Sequence, residues 1–173
     1  MSSFISLLNQ IACGQDLSDG QAESAVRAMM SGDVSPALSG AFLWGLKTKG
    51  ESVQEIAGAA RAMRGLMSGV QSPDGAIDVC GTGGDKSGTY NISTAVSFVL
   101  AGSGVPVAKH GNRAATSKSG AADVLAALGV NLDADFSLIE RAIAEANVGF
   151  LFAQRHHGAI KHVMPVRKEL QIP

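Results

Sequence analysis

Apolar side chains recur every three or four positions through the first third of the chain, then give way to short apolar runs punctuated by glycine. The first rhythm predicts amphipathic helices; the second predicts strands alternating with helices. Phe4, Ile5, Leu8 and Ile11 mark the first helix. Ser18 with Gln21 three residues on is a capping box, and it opens a second helix presenting Ala22, Val26, Met29 and Met30. Ser35-Pro36, a polar cap followed by proline at the first helical position, opens a third through Leu38, Phe42, Leu43, Trp44 and Leu46 to Gly50. Ser52 with Glu55 is a second capping box, for a fourth helix carrying Ile56, Ala59, Ala60 and Met63 and stopping near Gly69.

Gln71-Ser72-Pro73-Asp74-Gly75 reads as a linker. Beyond it, strands are expected at Ile77–Cys80, Val105–Lys109 and Val148–Phe152, with Pro106 marking an edge or a strand start. Helices are expected within Asn91–Ser103 and over Ser119–Leu128 and Phe136–Ala146. The fold class is therefore α/β with a separate all-helical N-terminal domain, residues 1–70, followed by a parallel-sheet α/β domain, residues 74–173. In such a sheet ligands bind at the C-terminal ends of the strands. A last helix begins after Pro165 and breaks off at Gln171-Ile172-Pro173 with no strand behind it. Three strands make a thin sheet, so the α/β domain is expected to be incomplete at its C-terminus.

Composition narrows the function. The 173 residues are 46% apolar, enough for a buried core. A net charge of −1 with no basic block speaks against nucleic-acid binding through bulk charge. No apolar stretch is long enough to span a bilayer, and Met1-Ser2-Ser3-Phe4 lacks the features of a signal peptide. Cys13 and Cys80 sit at no metal-binding spacing and are expected to be reduced core thiols of a cytoplasmic protein.

Three stretches carry candidate chemistry. The run Cys80-Gly81-Thr82-Gly83-Gly84-Asp85-Lys86-Ser87-Gly88-Thr89-Tyr90-Asn91-Ile92-Ser93-Thr94 follows an apolar strand and enters a helix. Its glycines let backbone N–H groups approach an anion, and the helix N-terminus favours the same charge. The spacing matches neither a Walker loop nor a dinucleotide fingerprint. Asp85 is either a contact to a metal or sugar hydroxyl, or a turn residue. The second stretch is Lys109-His110-Gly111-Asn112-Arg113-Ala114-Ala115-Thr116-Ser117-Lys118-Ser119-Gly120. Its three cations and its short polar side chains suit a polyphosphate, or else form a solvated basic loop. The third is Gln154-Arg155-His156-His157-Gly158. Zinc is not the lead reading there, because neither a helical His pair nor flanking cysteines are present. Its histidines either bond an aromatic acid or serve as caps and packing. Arg167 either pairs with a carboxylate or lies on a helix surface.

Taken together these stretches resemble the anthranilate phosphoribosyltransferases of tryptophan biosynthesis. The likeness rests on Gly81–Asp85, Asn91–Thr94, Lys109–Arg113, Ser119–Leu125, Phe150–Ala153, and His156-His157 leading to Pro165–Leu170. It implies a fold like the class II nucleoside phosphorylases, a homodimer formed through the helical domain, and an active site in the cleft between the domains. It implies Mg²⁺-dependent transfer of phosphoribose from phosphoribosyl pyrophosphate to the amino group of anthranilate. Phosphoribosyl pyrophosphate would lie against Gly81, Gly84, Asp85, Thr89, Asn91, Ile92, Ser93, Thr94, Lys109, His110, Gly111, Asn112, Arg113, Ala114, Ala115, Thr116, Ser117 and Ala121. Anthranilate would meet Gly81, Asn112, His157 and Arg167, with Arg167 facing its carboxylate. Ser93 would reach Mg²⁺, no single catalytic residue is nominated, and the family's second acidic pair for Mg²⁺ lies past the end of this chain. Lys86 and Gly158 depart from the residues usual at their positions.

Two other readings compete. A pyrimidine nucleoside phosphorylase would share the fold but resembles Lys109–Arg113 only loosely. A non-catalytic nucleic-acid-binding paralogue would need a basic face and eroded glycine motifs, neither of which the sequence has. A third possibility is an interaction fragment that keeps the helical dimer contact and loses the chemistry.

Overall fold

The computed structural model describes residues 3–81, 89–114, 119–156 and 158–172. The chain divides into two compact units, Met1–Met67 with His157–Pro173, and Ser68–His156.

The first unit is helical. It contains α1 (Phe4–Ala12), α2 (Asp19–Ser31), α3 (Pro36–Lys49) and α4 (Val53–Gly65). Each starts where a serine hydroxyl accepts from a backbone N–H: Ser3, Ser18, Ser35 and Ser52. Both capping boxes form, with Gln21 and Glu55 reaching back to the N–H of their own caps. The apolar stripes converge on Leu7, Ile11, Leu17, Ala22, Ala25, Met29, Met30 and Phe42. Phe42 is wholly buried, with its ring centroid 5.5 Å from that of Phe4.

Glu55 does more than cap. Its carboxylate accepts from the N–H of Leu17 at 2.9 Å and that of Ser52 at 2.7 Å, and pairs with Lys49 at 2.9 Å. Burial pushes its pKa up, but the two N–H donors and the Lys49 ammonium outweigh that and hold it below the usual range. The group therefore ties the turn before α2 to the start of α4.

α2 and α4 cross closely because position 58 has no side chain: a Cβ on Gly58 would collide with the Asp19 carbonyl oxygen. The C-terminal segment joins this unit as a 3₁₀ turn (Gly158–His162) and a short helix, labelled α9 below (Met164–Glu169). Val163 enters the helical core, and Val166 and Leu170 reach Gly40 of α3.

The second unit is built on two parallel strands, β1 (Val107–Gly111) and β2 (Val148–Phe152), paired Val107 to Val148 through Gly111 to Phe152. Around them lie α5 (Ile92–Gly102), α6 (Ala121–Ala127), α7 (Phe136–Ala146) and the single turn α8 (Ala153–His156). Ala122, Leu125, Leu132 and Phe152 form one core cluster, and Ile139 and Ile143 of α7 are buried as well.

Three expectations need correction. The segment at 77–80 is not a strand: only Ile77 pairs, as a single parallel bridge to Val107. The reason is Asp78, whose Oδ1 accepts the His110 N–H at 3.2 Å and the Cys80 N–H at 3.0 Å. A side-chain oxygen thus takes a strand donor that a neighbouring carbonyl would have taken. The strand expected at Val105–Lys109 runs from Val107 to Gly111, so Pro106 stands at the strand start, where its carbonyl accepts from Ile77 at 3.0 Å. Cys13 and Cys80 are exposed rather than core thiols, Cys13 because it caps the end of α1 and Cys80 because its segment leaves the sheet.

The α2–α4 crossing gives a sign test. Glycine to alanine inside a helix ordinarily stabilises by about 0.5–1 kcal/mol. Gly58→Ala should instead destabilise by about 1–3 kcal/mol, because α4 must move off Asp19. Gly20→Ala, where a Cβ meets nothing within 4 Å, should show no such loss. Urea unfolding midpoints compare the two.

Candidate active site

β1 ends in Lys109, His110 and Gly111. Alternation along the strand turns Val107 and Lys109 inward, and both are almost fully buried. Lys109 is 2% exposed, and no carboxylate among the described residues lies within ion-pairing distance of its ammonium. Its Nζ lies 3.5 Å from Ser93 Oγ and 3.5 Å from the His110 carbonyl oxygen, both long contacts. Burial pushes its pKa down, and the charges of Asp78 and Cys80 only partly restore it. Among the described residues this is the most thoroughly buried cation lacking an acidic partner. A buried charge in that condition is costly unless an anion joins it.

Ser93 lies in the first turn of α5, next to Thr94. Thr94 is buried, and its Oγ1 has no hydrogen-bond partner among the described residues. The Asn91 side chain does not cap α5. It donates instead to Ser119, at 3.2 Å to Oγ and 3.4 Å to the carbonyl oxygen. Among the described residues the start of α5 therefore carries no side-chain cap, and its dipole end favours an anion beside a buried cation.

The loop after β1 is held by one carboxylate. Asp123 accepts from the N–H of Ala114 at 2.9 Å, from the N–H of Gly120 at 2.9 Å and from Arg113 Nη1 at 3.2 Å. These donors, the Ala114 and Gly120 N–H groups foremost, hold its pKa below the usual range. Gly120 is required there: a Cβ would run into the Ala114 nitrogen. Asn112 Oδ1 accepts from the Arg113 N–H at 2.8 Å, and its carbonyl accepts from Ala122 at 3.1 Å. Ala121 opens α6 and packs against Gly111.

Two stretches far apart in sequence thus meet. Asn91, Ser93 and Thr94 stand beside Lys109, Ser119 and the loop from Asn112 to Ala114, with Ile92 exposed at the helix start. Gly81 and Thr89 are exposed, and Thr89 makes contacts of its own. Gly84, Asp85, Ala115, Thr116, Ser117 and His157 lie outside the described residues. Arg167 belongs to α9 in the first unit, half-buried, its Nη1 3.9 Å from Met164 Sδ. His156 is a packing residue: buried, its ring tilted by 41° against that of Phe136 with centroids 4.8 Å apart, and Nδ1 2.7 Å from the Ser68 carbonyl oxygen.

Sequence reasoning overlooked Asp78 and gave Asp123 no role. The signal for Asp123 was present, since an acid three residues after Gly120 is a capping pattern. For Asp78 the local bond to the Cys80 N–H is an ordinary turn contact, and the partner that matters, the His110 N–H, comes from β1, 32 positions away.

Mg²⁺ prefers oxygen ligands and keeps much of its shell for water and substrate phosphates. Among the described residues Ser93 Oγ offers one neutral oxygen for that limited role; because the Lys109 ammonium 3.5 Å away opposes a dication, Mg²⁺ would be held there together with substrate phosphates rather than by the protein alone.

Hydroxyls and cations are thus gathered at the C-terminal end of β1 in the parallel-sheet unit. The chain belongs to the glycosyl transferase family, matching its helical bundle domain over residues 5–67 and its a/b domain over residues 73–173. It is 61% identical over 164 residues to anthranilate phosphoribosyltransferase of Rhodospirillum rubrum, covering 95% of this chain and 47% of that protein. It superposes on the crystal structure of anthranilate phosphoribosyltransferase from Thermus thermophilus with a TM-score of 0.87 at 44% identity, covering 96% of this chain and 51% of that one. The Saccharomyces cerevisiae enzyme in complex with PRPP and Mg gives a TM-score of 0.88 at 27% identity, covering 99% of this chain and 52% of the yeast chain. The chain spans about half the length of these relatives.

Removing the Asp123 charge should free the loop. In Asp123→Asn, hydrogen exchange at the Ala114 and Gly120 amides should accelerate at least about tenfold, since a charged acceptor contributes about 1.5–3 kcal/mol. Unchanged protection at both amides would remove Asp123 from this role.

Proposed function

We propose that this chain carries the phosphoribosyl pyrophosphate-binding part of an anthranilate phosphoribosyltransferase. The observation that carries the reading is the buried Lys109 ammonium, without an ion-paired carboxylate among the described residues, beside the hydroxyl-rich start of α5. A pyrophosphate group supplies an anion for that ammonium. The names of the relatives, and the PRPP and Mg held by the yeast structure, support the choice of substrate over a nucleoside.

The residues divide the task. Lys109 fixes a phosphate by charge, and Ser93 and Thr94 offer hydroxyls and helix N–H groups to the same anion. Arg113 and the N–H groups of the loop pinned by Asp123 meet the remaining phosphate oxygens. Gly81, Gly84, Asp85, Thr89, Asn91, Ile92, His110, Gly111, Ala114–Ser117 and Ala121 complete the contacts to phosphoribosyl pyrophosphate. Mg²⁺, reached by Ser93, neutralises charge on the departing pyrophosphate when bound. Anthranilate lies against Gly81, Asn112 and His157, with Arg167 on its carboxylate. Its amine is already a neutral nucleophile, so placement of the amine and of the ribose carbon does most of the work. The exposed Ile5, Trp44, Val53 and Ile56 of the first unit support a homodimer formed through it. Two exposed thiols suit the reducing cytoplasm.

Lys109→Met tests both halves of the reading. The substitution should weaken binding of Mg²⁺–phosphoribosyl pyrophosphate by about 1.5–3 kcal/mol, or about 10- to 150-fold, in calorimetry. It should also raise the thermal midpoint of the free protein, because an uncompensated buried charge is gone. Equal affinity in both proteins would reject the site. Loss of anthranilate fluorescence on adding phosphoribosyl pyrophosphate and Mg²⁺ reads the transfer itself.

A further inference from the structure

Beyond the phosphate site, a second cluster stands at the edge of β1. Asp78 and Cys80 are two residues apart on the segment beside the strand, and His110 comes from the strand itself. One ligand atom from each lies within 4.8 Å of the other two. The Asp78 carboxylate already ties the two segments together through the N–H groups of Cys80 and His110, so backbone bonds fix the spacing. It has lone pairs beyond those two bonds. The Cys80 and Asp78 side chains are open to solvent, which leaves an entry path and room for a water ligand.

We propose that Asp78, Cys80 and His110 form a binding site for a zinc-class divalent cation, with water in the fourth position. The donor set decides the metal. A thiolate with an imidazole selects zinc, cobalt or cadmium and is unsuited to magnesium. Ligand atoms of a tetrahedral zinc centre lie about 3.3–3.8 Å apart, given bonds of about 2.0–2.3 Å. Side-chain rotations of about 1 Å close the present triangle to that size. Binding replaces the thiol proton with metal, and the proton leaves to solvent. The nearby Lys109 charge opposes a dication, which makes the site weaker than a structural zinc centre. This site does not depend on the phosphoribosyl reading.

Co²⁺ added to the full 173-residue chain is the probe. One equivalent should give a thiolate-to-cobalt charge-transfer band with the visible bands of a four-coordinate centre, and Zn²⁺ should displace both. Cys80→Ser should abolish the charge-transfer band and weaken binding more than about 100-fold, beyond the loss expected for an outer-shell partner. Cys13→Ser should leave the spectrum intact. Asp78→Asn and His110→Gln should each weaken binding. If either fails to fold by circular dichroism, the two serine variants decide alone. A charge-transfer band that survives Cys80→Ser, one that requires Cys13, or its absence from the wild-type protein in excess Co²⁺ would overturn the proposal.

Discussion

The second unit is organised around a lysine ammonium held out of water with no carboxylate among the described residues against it. Lys109 points inward because β1 alternates, and burial pulls its pKa below the ordinary lysine value. Its nearest polar neighbours are a serine hydroxyl and a carbonyl oxygen, both at the limit of hydrogen-bond distance. Such a residue lowers the stability of the free protein and is explained by what it binds. The start of α5 touches both this charge, through Ser93, and the loop after β1, through the Asn91–Ser119 bond.

Two acids hold that arrangement without neutralising it. Asp78 spends its carboxylate on the N–H groups of Cys80 and His110, and Asp123 spends its own on Ala114, Gly120 and Arg113. Each fixes backbone near one end of β1, and neither forms an ion pair with Lys109. Among the described residues the negative charge of these two acids therefore fixes backbone geometry rather than pairing with Lys109. Asp78 also ends the sheet early, which leaves Cys80 exposed beside His110.

The helical unit was legible in the sequence because its signals are local. Ser18 with Gln21 and Ser52 with Glu55 cap where their spacing says, and the apolar stripe from Leu7 to Phe42 meets in one core. Glu55 was legible only as a cap; its bond to Leu17 comes from a residue 38 positions away. The same limit explains the α/β unit. The runs at 107–111 and 148–152 read as strands, but the run at 77–80 carries equal propensity and is diverted by one carboxylate. For the candidate site, Asn91–Thr94 and Lys109–Arg113 were legible as polar and basic clusters near glycine. That Lys109 would be buried follows from strand alternation, but that no described acid would face it required the fold.

A pH titration of the Lys109 ammonium by side-chain NMR, in the free protein and with Mg²⁺–pyrophosphate, bears most directly on this picture. The free protein should show an apparent pKa below the ordinary lysine value of 10.5, and pyrophosphate should raise it as an anion takes up the buried charge. An ammonium that titrates like an exposed lysine, or whose pKa pyrophosphate leaves unmoved, would contradict Lys109 as the anchor of the phosphate site.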